Sequence, residues 1–72
     1  MTFSLVLDRE EDGRWIASVE DLPGVHAYGS TRDDAISHAI ALTFARLADE
    51  VENGERDAHT LMTVSFTETA AA

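Results

Sequence analysis

Seventy-two residues confine this chain to one domain, and a hydrophobic content of 44% makes that domain globular rather than disordered. Acids outnumber bases fourteen to five, every base is arginine, and the net charge of −9 disfavours direct binding to nucleic acid phosphates; such a surface either simply keeps a small protein soluble or attracts a cationic protein partner. There is no cysteine for a disulfide or thiolate metal site and no apolar run of the ~20 residues that cross a bilayer, so a cytoplasmic, non-membrane protein is expected.

The first element expected is a strand over Thr2 to Asp8, with Phe3, Leu5 and Leu7 on one face and Thr2, Ser4 and Asp8 on the other. Val6 interrupts the alternation and implies partial cover on the second face. The pair Asp12-Gly13 is a hairpin signal after a polar run from Arg9. A second strand covers Arg14 to Glu20, with Trp15, Ala17 and Val19 on one face and Ile16 on the other. Leu22-Pro23-Gly24 then supplies turn chemistry: Pro23 presets φ, and Gly24 takes the positive φ of a type II turn. Val25 to Tyr28 is a short third strand, ended by Gly29.

Thr31 reads as a helix N-cap, its hydroxyl accepting from the N–H of Asp34, with Asp33 and Asp34 placed where the helix dipole is positive. The helix is expected from about Arg32 to Asn53, stopped by Gly54. Ile36, Ile40, Phe44, Leu47 and Val51 form its core stripe. Leu42 lies off that stripe beside Ala35, Ala41 and Ala45, and is a candidate helix–helix contact between subunits. A fourth strand is expected over His59 to Thr67, and residues 68–72 as a disordered tail.

The order β-β-β-α-β defines an α+β, two-layer sandwich. A right-handed crossover brings strand 4 parallel to strand 1, giving the sheet order 3-2-1-4. One sheet face is left uncovered, with Val6, Ile16 and Leu61 pointing to it. A core this small offsets ordering entropy narrowly at about 25 cal/mol per Å² of apolar surface, so a homodimer or tetramer is expected. Val6, Ile16 and Leu42 are the candidate oligomer contacts.

Chemistry is sparse. Asp8, Glu10, Glu11 and Asp12 are neighbours in one loop, whereas a two-metal nuclease needs acids converging from several elements. His26, His38 and His59 lack the i, i+4 spacing of a helical zinc site. Ser30 and Thr31 precede a helix N-terminus, but Asp33 and Asp34 would repel an anion there, and capping explains both residues. The expectation is therefore no catalytic residue, no cofactor and no metal. The unusual feature is Asp49, Glu50, Glu52 and Glu55 at the helix C-terminus, where the dipole prefers cations. Glu20, Asp21, Tyr28, Asp49, Glu50 and Glu52 are the candidate partner contacts. Trp15 is a possible aromatic anchor that fits the core better.

Three segments together carry a resemblance: Gly13-Arg14-Trp15-Ile16-Ala17, Asp21-Leu22-Pro23-Gly24-Val25, and Gly29-Ser30-Thr31 with Asp34-Ala35. They are similar to the HicB-like antitoxin (UPF0150-like) family, over roughly residues 3 to 66, with Pro23, Gly24, Gly29, Thr31 and Asp34 as the structural motif. Asp34 stands where the family usually has Glu, and Val25 where it often has a polar residue or Cys. The resemblance implies a partial ribonuclease-H-like fold without nuclease chemistry. It also implies a partner, a small basic HicA-like toxin that cleaves mRNA and whose RNA-binding surface the antitoxin masks. Many members carry a C-terminal DNA-binding module; the sequence stops after its fourth strand, so a stand-alone N-terminal-type domain is expected. The alternative is a solitary homo-oligomeric regulatory or structural protein without a toxin partner.

Overall fold

A computed structural model describes residues 1–70. Its elements are β1 (Thr2–Arg9), β2 (Trp15–Val19), β3 (His26–Gly29), the helix α1 (Arg32–Glu52), a 3-10 turn (Ala58–Leu61) and β4 (Ser65–Ala70). The sheet has four strands in the order β3-β2-β1-β4, with β1 antiparallel to β2 and parallel to β4. This is the expected α+β sandwich, with the strand order and the parallel pair as read from the sequence.

Turn residues fix the meander. Gly13 at φ +92 closes the first hairpin, where Glu10 N–H donates to the Arg14 carbonyl at 2.7 Å. At the second reversal Val25 N–H donates to the Leu22 carbonyl at 3.1 Å, and Gly24 has φ +86. Pro23 thus occupies the first central position and Gly24 the second, as a type II turn requires. The turn also buries Leu22 and Val25.

The helix is fixed at both ends. Thr31 is extended and accepts from Asp34 N–H at 3.1 Å, while the Ser30 hydroxyl donates to the Asp34 carboxylate at 3.0 Å. At the other end Gly54 has φ +72, and Gly54 N–H and Glu55 N–H donate to the Val51 and Glu50 carbonyls. That bond pair is the Schellman arrangement, which satisfies carbonyls the helix leaves orphaned.

Phe3, Leu5 and Leu7 of β1, Ala17 and Val19 of β2 and Ala27 of β3 bury one sheet face against Ala35, Ala39, Thr43 and Leu47 of α1. The seam therefore differs from the expected stripe. Leu47 is buried and Ile36 and Ile40 are partly buried, but Phe44 is 50% exposed. Over its first turns the helix presents Ala35 and Ala39 to the sheet, because backbone approach at the helix start is close. A Cβ on Gly29 would lie 2.7 Å from the Asp34 Cβ and closer still to the Ala35 nitrogen. Bulkier residues at this end would hold the layers apart, so Ile36 and Ile40 lie on the flank, and the seam takes a large side chain only further along, at Leu47. Thr43 is fully buried and satisfies its hydroxyl on the Ala39 carbonyl at 2.8 Å.

The C-terminal segment departs further from expectation. Residues 58–61 form a 3-10 turn rather than a strand start, because Asp57 caps it through His59 N–H at 3.0 Å and Thr60 Oγ1 donates to the Asp57 carbonyl. Leu61 packs against the core from that turn and does not line the open face. Strand β4 begins at Ser65 and continues through Ala70, pairing Glu68 with Leu5 and Thr69 with Val6. The disordered tail expected from Glu68 is corrected over those residues; Ala71 and Ala72 lie outside the described residues.

Candidate docking surface

Antiparallel strands and a returning helix bring several chain segments to one end of the sheet. The end of β2, the Leu22-Pro23-Gly24 turn, the start of β1 and the last turns of α1 all meet there. Arg46 joins them, its Nη1 donating to the Pro23 carbonyl at 3.1 Å. Glu20, Asp21, Asp49, Glu50, Glu52 and Glu55 therefore share this end, although they come from segments about thirty residues apart.

These acids are not equivalent. Glu50 accepts from Arg56 Nε at 2.6 Å and from Arg46 Nε at 3.1 Å, and only 16% of its side chain is exposed. The Arg56 hydrogen bond, with Arg46 beside it, holds its carboxyl below the ordinary value. Glu50 is thus a clamp between the helix and the segment that follows it, already supplied with cations. Asp21 is also engaged: its carboxylate accepts from Ser4 N–H at 2.8 Å, and Glu20 N–H donates to the Ser4 carbonyl. Glu20, Asp49, Glu52 and Glu55 stay exposed. The last helical turn holds no basic residue, so the carbonyl end of the dipole and these carboxylates add up.

Tyr28 sits elsewhere, on the open face near the opposite end, 45% exposed, with the Arg14 guanidinium 4.6 Å from its ring centroid. Arg14 is itself paired with Asp12 at 2.8 Å, and the Arg14 N–H bond keeps Asp12 below its ordinary value. Trp15 is half-buried against the core, under Arg9 at 5.5 Å. The structure therefore gathers the five acids among the candidate partner contacts but leaves Tyr28 apart from them.

The candidate oligomer contacts are also divided. Val6 and Ile16 are half-buried on the open sheet face, among Ser4, Ser18, His26 and Thr67. Leu42 is 46% exposed in the other layer, on the helix. The three do not form one surface. The histidines are separate as well: His26 pairs with Ser18 at 2.9 Å, His38 donates to the Tyr28 carbonyl at 2.8 Å, and His59 meets Asp57 at 3.3 Å. Among the described residues no group of three or more His, Cys, Asp or Glu is placed to hold a metal ion. Among the described residues no helix is long and apolar enough to cross a membrane.

Sequence reasoning missed two things here. The Arg46–Glu50 pair was legible from its i, i+4 spacing. The Arg56 half of the clamp was not, because it depends on how the chain folds back after Gly54.

The architecture is that of a small acidic α+β domain with one helix on a mixed sheet. A UPF0150 protein of Archaeoglobus fulgidus is 33% identical to it over 58 residues, which cover 76% of this chain and 83% of the relative. The chain belongs to the UPF0150 family. No family model matches the chain, and no solved structure does.

Proposed function

We propose that this chain is an antitoxin-like protein-binding module that neutralises a small basic HicA-type mRNA interferase by covering its RNA-binding surface. The observation that carries the reading is the helix C-terminal end. Asp49, Glu52 and Glu55 stand where the dipole is already negative, and the two arginines nearby are committed to Glu50 and Pro23. Each such charge costs the isolated domain about 0.3–1 kcal/mol, which a cationic partner reverses. A surface that attracts the groups an RNase uses to hold phosphate competes directly with RNA. The likeness of the Leu22-Pro23-Gly24 turn and the Gly29-Ser30-Thr31 helix start to HicB-like antitoxins supports the same partner class.

Co-expression tests this. A small basic protein encoded beside this chain, expressed alone, should degrade cellular mRNA and arrest growth. Expressed with this chain, it should be recovered bound and inactive. Continued RNA cleavage with this chain in excess refutes the proposal.

A further inference from the structure

Strand β4 is an edge of the sheet, and its backbone geometry shows which groups it offers. Ser65 N–H donates to the Met1 carbonyl at 3.0 Å, so Ser65, Thr67 and Thr69 direct their N–H and C=O groups to β1. By alternation, Phe66 and Glu68 direct theirs outward. The opposite edge is protected: β3 has four residues, and its outward Tyr28 carbonyl already accepts from His38 at 2.8 Å. Strand β4 has six residues and neither proline nor lysine, the usual guards of a free edge. Its only charged side chain, Glu68, is neutralised by Arg32 at 2.8 Å. Beside it Phe44, 50% exposed, meets Phe66 edge-on with centroids 6.0 Å apart. The unpaired acids lie toward the two ends of the molecule, around Glu10 and Glu11 at one and Glu20, Asp49 and Glu52 at the other.

We propose that the occupant of this edge is a second copy of the same chain, whose β4 adds antiparallel to form one continuous sheet. Self-complementarity argues for this partner: although two molecules of net charge −9 repel, their β4 strips meet without opposing unpaired carboxylates, because Glu68 is paired with Arg32 in each copy. The register follows from the outward groups. Phe66 of one copy lies opposite Glu68 of the other, exchanging backbone hydrogen bonds, and Thr67 faces its own counterpart across the two-fold axis. The Phe44–Phe66 pairs then flank the junction on the helix side. This contact is separate from the acidic end and leaves it free for a cationic partner.

A cysteine placed at the axis reports this register, because the chain has no other thiol. Opposed residues at a non-hydrogen-bonded pair have Cα atoms about 4.5 Å apart, within disulfide reach. Thr67→Cys should form a covalent dimer at least tenfold faster than Ser37→Cys, on the exposed helix surface, in the same redox buffer. Wild type should sediment as a dimer at about 100 μM. Thr67→Lys, which sets two ammonium groups face to face, and Glu68→Pro, which removes an outward donor, should both sediment as monomers with unchanged far-ultraviolet circular dichroism. Equal cross-linking rates, a wild-type monomer at that concentration, or a dimer surviving both substitutions overturns the proposal. A monomer whose β4 edge captures only a different, basic protein overturns it equally.

Discussion

Gly29→Ala tests the close contact of the two layers. Gly29 has no positive φ, so its backbone would tolerate alanine; the obstacle is space. The added methyl carbon would lie 2.7 Å from the Asp34 Cβ and 2.8 Å from the Asp34 carbonyl carbon, and nearer to the Ala35 nitrogen. Two of these atoms belong to the helix backbone and cannot rotate away. The helix start must lift from the end of β3, loosening Ala35, which is fully buried. Overpacking of this kind costs about 1–3 kcal/mol. For a domain of this size each kcal/mol shifts Tm by about 4–8 °C. Thermal melts followed by circular dichroism should therefore show a loss of at least about 4 °C. Ser30→Ala, which removes only an exposed hydrogen bond to Asp34, should shift Tm far less. A Gly29→Ala variant that melts within about 1 °C of wild type would refute the reasoning.

Other substitutions probe the remaining structural assignments. Thr31→Ala removes the cap on Asp34 N–H and should cost about 1 kcal/mol in chemical denaturation. Leu47→Ala should cost about 2–5 kcal/mol, because Leu47 is 2% exposed, whereas Phe44→Ala should cost clearly less in the monomer. Equal losses at the two positions would contradict the observed helix orientation. Glu50 gives a pH signature. Its carboxyl is held below the ordinary value of 4.5, so its arginine bonds contribute fully above that pH and are lost as pH falls through the depressed folded value. Wild type should therefore lose stability more steeply below pH 4.5 than Glu50→Gln does, read from denaturation midpoints across the acid range.

Local chemistry was legible in the sequence and long-range placement was less so. Pro23 and Gly24, Thr31 with Asp34, and Gly54 each determine a turn or cap from neighbouring residues, and the structure uses all of them as their types require. The strand order followed from connection lengths and the handedness of a crossover. The helix seam was misjudged because a hydrophobic stripe favours large side chains, whereas the contact at Gly29 admits small ones, Ala35 and Ala39. The start of β4 was misplaced because alternation in Leu61 to Phe66 resembles a strand, while the Asp57 cap bends residues 58–61 into a 3-10 turn. Among the acids, residue type alone did not separate Glu50, clamped by Arg46 and Arg56, from its exposed neighbours Asp49 and Glu52.

The proposed electrostatic docking of a cationic protein at the end formed by Glu20, Asp49 and Glu52 has a direct kinetic signature. It is read in the association rate with the small basic RNase proposed as partner, purified and measured at rising ionic strength, for wild type and for Asp49→Asn/Glu52→Gln. Steered association slows steeply as the Debye length shrinks from about 30 Å at 0.01 M salt to about 8 Å at 0.15 M. Docking at this end predicts that steep fall for wild type and a slower, flatter curve for the variant. Association that is indifferent to salt, or identical in the two proteins, would contradict it.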